Sequence, residues 1–165
     1  MRPRVLWVED SARLELSNLA GPVYFSGEVD FNLAEDATSA ARLLLSEDFD
    51  VLIVDVRLPP GSDPIWSKHY RAAGADKVNA QLGLKLLYWL LGRNTTLYSA
   101  PPPTHITPEK VSVFTVENRY EIQHDLEELG VELYFQKVAD LPDTILLEII
   151  ERVLRHTRAD KGLVA

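Results

Sequence analysis

Val51-Leu52-Ile53-Val54-Asp55 is the stretch on which the fold turns. Four strand-forming apolar residues in a row, ended by an acid, suit a central strand of a parallel sheet, covered on both faces and so not alternating. Val5-Leu6-Trp7-Val8-Glu9 repeats the pattern, and Asp10 makes its ending doubly acidic. Working outward, Val111-Ser112-Val113-Phe114-Thr115 and Val131 to Phe135 read as two further strands. Val29-Asp30-Phe31-Asn32-Leu33 alternates, as a strand nearer an edge does. Between these runs, Ala37, Ala40, Ala41 and Leu44 share a helical face, and Ile122, Leu126 and Leu129 make another, closed by Gly130. Ile145, Leu146, Ile149, Ile150, Val153 and Leu154 line a last helix, with Pro142 near its start and Asp140 placed to cap it. A first helix is expected from about Ala12, kinked or ended early at Gly21-Pro22. Strands alternating with helices predict parallel pairing through crossover helices.

The chain has 165 residues, 46% of them hydrophobic, enough for one domain with a real core. Its formal charge of -8 would repel a phosphate backbone, so direct nucleic-acid binding is not expected. The absence of cysteine excludes a disulfide framework, a thiolate zinc site and a cysteine nucleophile. The apolar run Val5 to Val8 is too short for a signal peptide, and no run approaches a membrane span. A soluble, cytoplasmic protein is expected. The four histidines, His69, His105, His124 and His156, show no metal-ligand spacing. Arg152, Arg155 and Arg158 read as a solvated helix face.

One region breaks the rhythm. Between Arg57 and Lys110 a single helix is expected, roughly Asn79 to Leu91 and ended by Gly92, flanked by polar stretches at about 59–78 and 93–108. The first carries Trp66, Lys68, His69, Tyr70, Arg71 and Lys77, which read either as a partner-binding lid or as a loop with its own small apolar cluster. The second contains Pro101-Pro102-Pro103, read as a stiff spacer.

In open parallel sheets ligands bind beyond the carboxyl ends of the strands. Glu9, Asp10, Asp55, Thr115 and Lys137 all fall there, so three carboxylates, a hydroxyl and an ammonium should share one rim. Clustered carboxylates repel unless a cation joins them, and oxygen ligands select Mg²⁺ or Mn²⁺. Asp55 can then attack phosphorus to give an acyl phosphate, with Lys137 neutralising the phosphoryl oxygens and Thr115 donating a hydrogen bond.

These residues resemble the receiver domain of two-component response regulators. Val5 to Asp10 looks like its first strand and acidic pair, and Val51 to Asp55 with Arg57-Leu58-Pro59 like its phosphoacceptor strand and loop. The separations, 45 residues from Asp10 to Asp55 and 22 from Thr115 to Lys137, are close to the family pattern. Gly83-Leu84-Lys85-Leu86-Leu87 resembles the start of its third helix, and Tyr134 occupies its aromatic switch position. The likeness spans about residues 4 to 156.

The resemblance implies a flavodoxin-like (CheY-like) three-layer α/β/α sandwich with five parallel strands in order 2-1-3-4-5. Residues 1–156 would form one receiver-like domain and 157–165 a short tail. It further implies that Asp55 accepts phosphate from a histidine kinase or phosphotransfer protein. Mg²⁺ would be held by Asp10, Asp55 and the backbone carbonyl of Arg57, with Glu9 assisting. Thr115 and Tyr134 would couple phosphorylation to a protein-binding face formed by the fourth helix, fifth strand and fifth helix, through which the chain could form a homodimer or meet a partner. Such a chain is a signalling domain and not a dedicated enzyme.

The sequence also departs from the family. The 60 residues from Asp55 to Thr115 exceed the usual span, Val116 stands where a small residue is usual, and Val138 replaces the proline after Lys137. These departures define an alternative, a phosphorylation-independent pseudo-receiver scaffold. A Mg²⁺-dependent phosphatase or nuclease on the same rim is less favoured, because Arg57 stands where a second acid would be needed.

Overall fold

A computed structural model describes residues 1–160. Its five strands, β1 (Arg4–Val8), β2 (Asp30–Ala34), β3 (Val51–Val54), β4 (Val111–Thr115) and β5 (Leu133–Gln136), form one parallel sheet of order β2-β1-β3-β4-β5. The helices are α1 (Ser17–Ser26), α2 (Ala37–Ser46), α3 (Pro64–Ala72), α4 (Lys77–Ala80), α5 (Leu82–Leu90), α6 (Arg119–Leu129) and α7 (Ile145–Asp160). The fold is the flavodoxin-like sandwich, with the expected strand order.

The two-residue period of a strand sorts the central strands onto two cores. Val5, Trp7, Val51, Ile53 and Phe114 face α1 and α7, where Leu146, Ile149, Ile150 and Val153 complete a buried cluster. Leu6, Val8, Leu52, Val54, Val111 and Val113 face α2, α5 and α6 on the other side. Each buried Leu, Ile or Val contributes roughly 1.5–3 kcal/mol relative to exposure, so this double coverage sets the register firmly. β1 meets β3 with Val5 opposite Val51 and Val8 opposite Val54, which brings the acidic ends of both strands level.

The structure corrects several boundaries. Residues 11–16 form turns, with the Leu14 and Leu16 amides both donating to the Ser11 carbonyl, and α1 starts only at Ser17. Pro22 lies inside α1 without ending it. The bond it deletes belongs to the carbonyl of exposed Asn18, in the first turn, and the helix stops instead at left-handed Gly27. β5 starts at Leu133 because Val131 is committed to closing α6, its amide donating to Leu126. Asp140 does not cap α7, which starts five residues later at Ile145. That helix continues beyond 156 to Asp160, and the rest of the expected tail, 161–165, lies outside the described residues.

The connection from β3 to β4 differs most. Polar residues 59–78 contain α3, capped by Asp63, whose side chain accepts the Ile65 amide at 2.9 Å, with Pro64 in the first turn. The single expected helix over 79–91 is split by Gln81, which is left-handed at φ 46°. Tyr98, from the second stretch, stacks on Trp66 of α3 at 5.3 Å and meets Trp89 of α5 edge-on at 5.2 Å. Its hydroxyl donates to Asp63 at 2.9 Å. Trp66 thereby joins the main core on the α2, α5 and α6 side, and the segment does not keep an apolar cluster of its own.

Candidate functional site

The ends of β1 and β3 and the residues after β4 and β5 enclose a cleft of about 330 Å³, lined by acids Glu9, Asp10, Glu15 and Asp55 and by cations Arg57, Lys77 and Lys137. Glu9 and Asp55 follow β1 and β3, whose residues are buried apart from Arg4, and are themselves buried. Lys137 follows β5, its amide donating to the Thr115 carbonyl at 2.8 Å, and its side chain runs back under the rim. The ammonium lies 2.9 Å from Asp55 Oδ2 and pairs with Glu9 Oε1, the three side chains being 12, 6 and 1% exposed. Glu9, Asp10, Asp55 and Lys137, far apart in sequence, are thereby gathered on one cleft, while Thr115 does not line it.

Glu9, Asp10 and Asp55 each present a carboxylate oxygen within 4.8 Å of the others. Burial, reinforced by the charge of Asp55, pushes the Glu9 carboxyl up to about 7, outweighing the pull of Lys137. Burial would raise Asp10 too, but the hydrogen bond from Lys77 and further polar contacts hold it below its ordinary value. An all-oxygen donor set of this kind, with two members buried, fits a hard divalent cation such as Mg²⁺ or Mn²⁺.

The remaining expected residues take less direct positions. Thr115 is fully buried, its hydroxyl oxygen accepting the Glu117 amide at 3.4 Å, while the next residue, Val116, forms the cleft wall. Val116 stays 44% exposed, so it edges the opening and does not plug it. Val138 shares that rim. The Arg57 amide donates to Asp55 Oδ1 at 3.3 Å, whereas its guanidinium turns to Glu117 at 2.7 Å. Tyr134 donates its hydroxyl to the Glu117 carbonyl and carries the Arg119 guanidinium 5.7 Å from its ring centroid. It is therefore tied to the β4–α6 loop, one step from the cleft.

Two participants were not placed here by the sequence reading. Glu117 is a buried acid that anchors both Arg57 and Tyr134; it follows Thr115 by two residues, the spacing at which strand-end side chains return to one face. Lys77 reaches in from α4 to within 2.7 Å of Asp10 Oδ2. The local signal for its helix was Asp76, a capping residue whose side chain accepts the Val78 amide; the contact with Asp10, 67 residues away, had none.

No protein-family model matches the chain, and no curated protein matches it. Its resemblance to solved structures is extensive. A CheY-like response regulator receiver domain protein from Methanospirillum hungatei superposes with a TM-score of 0.61 at 16% identity, over 96% of this chain and 99% of that one. The receiver domain of a putative LuxO repressor from Vibrio parahaemolyticus gives 0.61 at 20% identity, over 100% of both. NtrX from Brucella abortus gives 0.63 at 16% identity, over 99% of this chain and 29% of the longer one. At these identities the likeness establishes the receiver-type fold. Among the described residues, no helix is long and apolar enough to cross a membrane.

Proposed function

We propose that this chain is a response regulator receiver in which Asp55 accepts a phosphoryl group from a histidine kinase or phosphotransfer protein. The observation that carries the reading is the triad at the rim: Asp55 beside Glu9 and Asp10, with the Lys137 ammonium 2.9 Å from its carboxylate. In the transfer, an Asp55 oxygen attacks phosphorus, the P–N bond of the donor phosphohistidine breaks, and the imidazole leaves with the bonding pair. Lys137, on the Asp55 side of the cleft, neutralises charge building on the equatorial oxygens. Asp10 and Asp55, with the Arg57 carbonyl and Glu9 assisting, would hold Mg²⁺, which when bound screens the incoming phosphate from these acids. The cleft is open at Val116, which favours a working site over a blocked pseudo-receiver.

Thr115 and Tyr134 form the proposed route outward. A phosphoryl group on Asp55 would draw on the Thr115 hydroxyl, disturbing the Glu117 amide it now accepts, and with it the carbonyl that holds Tyr134. The face that would respond is α6–β5–α7, proposed to meet a protein partner or a second copy of the chain. The role is signalling, with at most assisted phosphorylation and dephosphorylation of its own aspartate.

Intact-mass spectrometry after incubation with Mg²⁺ and acetyl phosphate tests the reading. One added phosphoryl group is expected on the native chain and none on Asp55→Asn. No gain on the native chain, with no detectable Mg²⁺ binding, would return the choice to a binding scaffold.

A further inference from the structure

The connection from β3 to β4 sends a cation of its own into the acidic cluster. Lys77 Nζ lies 2.7 Å from Asp10 Oδ2, and Asp10 is one of the acids proposed above to hold the divalent ion. Lys77 opens α4, a four-residue helix in which Ala80 is the one fully buried residue. Left-handed corners stand on both sides, Gly74 at φ 84° and Ala75 at 55° before it and Gln81 at 46° after it. For Ala75 and Gln81 that conformation costs about 1–2 kcal/mol each. A segment so lightly buried between two strained corners opens at small free-energy cost. Its neighbours do not share this freedom. α3 is pinned by fully buried Trp66, and α5 by Leu82, Leu86, Leu87 and Trp89.

The charges say which ammonium gives way to an arriving cation. Three carboxylates face two ammonium groups, and a divalent ion entering with both in place would meet their repulsion. Lys137 is only 12% exposed, held between Glu9 and Asp55, and its backbone amide donates to Thr115. Lys77 is 44% exposed and can swing into water at little cost.

We infer that Lys77 is a tethered counter-ion that competes with a divalent cation for Asp10, so that loading of the cleft and loosening of α4 are one linked equilibrium. The inference rests on the receiver reading of the cleft. Linkage is reciprocal: if the ion displaces Lys77, removing Lys77 tightens the ion by the same factor that the contact weakens it. The segment 74–81 is then a second readout of the site, on the surface, independent of Tyr134.

Isothermal titration of the full chain with Mg²⁺, together with amide hydrogen exchange, tests this. Lys77→Met is expected to bind Mg²⁺ about three- to tenfold more tightly than the native chain, a range set by the loss of a partly exposed ion pair and of local repulsion. Lys68→Met makes the same change of charge at an exposed position of α3 and is expected to leave the affinity within twofold. In the native chain saturating Mg²⁺ is expected to speed exchange of amides 75–81, while in Lys77→Met they exchange fast with or without the ion. Equal affinity of native and Lys77→Met, an equal gain in Lys68→Met, or exchange at 75–81 indifferent to Mg²⁺ would each overturn the inference with the metal reading intact. Absence of binding by both native and Lys77→Met would overturn the metal reading itself.

Discussion

β1 carries charge at both ends, and the two ends are built in opposite ways. At the amino rim Arg4 pairs with Asp30 at 3.1 Å and Glu47 at 2.6 Å, the three side chains staying 30, 50 and 38% exposed. At the carboxyl rim Glu9, with Asp55 and Lys137, is almost entirely withdrawn from it. An exposed pair gains little and is screened by salt, whereas buried charges cost desolvation that their mutual attraction need not recover. The first cluster therefore costs the fold little, whereas the second carries a desolvation cost, as a cluster kept for a proposed phosphoryl site would.

The comparison is broken most severely through the backbone. A Cβ on Gly83 would sit 1.9 Å from the Asp55 carbonyl oxygen, because the start of α5 packs directly on the turn after β3, its amide donating to Val56. Gly83→Ala is expected to cost about 4 kcal/mol or more in urea unfolding, since neither backbone can yield without moving the acceptor strand. Next, Lys137→Met leaves Glu9 and Asp55 buried and adjacent without their shared ammonium. A loss of about 2–3 kcal/mol is expected at pH 8 without divalent ions, shrinking near pH 6 as Glu9 takes up a proton.

A smaller effect sharpens the same contrast. The Glu9 carboxyl, raised to about 7 against an ordinary 4.5, binds its proton more tightly folded than unfolded. Its contribution to stability is thus full below about 4.5 and lost as pH rises through about 7. Divalent cations need the ionised form, so the rise in melting temperature produced by Mg²⁺ is expected to grow from pH 6 to pH 8; a constant rise would show that Glu9 takes no part. Least of all, Arg4→Gln at the amino rim is expected to leave the unfolding midpoint nearly unchanged at low salt and unchanged in 0.5 M salt. A large loss there would erase the distinction between the rims.

The parallel sheet was legible in the sequence because covered strands must be apolar on both sides, as Val5 to Val8 and Val51 to Val54 are, whereas its order came from the resemblance to receiver domains. The rim was legible for a related reason. Parallel strands all point the same way, so the residues that end them fall on one rim, and Glu9, Asp10, Asp55 and Lys137 met there, while Thr115 turned its hydroxyl to the Glu117 amide. α7 and the closure of α6 at Gly130 were likewise local matters of period and cap.

What only tertiary structure decided lies where the local signal is weak or the partner distant. α3 was obscured by polar residues because its burial falls on one side chain, Trp66, and the ring stacked on it, Tyr98, comes from a distant stretch and packs in turn against Trp89. Pro22 survives within α1 because one missing bond falls at an exposed turn. Whether Thr115 faces the cleft or the Glu117 amide, and whether Lys77 points to water or to Asp10, depends on contacts between residues far apart in sequence. Sequence by itself set the parallel strands and which acids end them, since both follow from periodicity and strand direction. The pairing of each acid with its cation was left to packing, because a long flexible side chain takes its partner from the surface it is folded against.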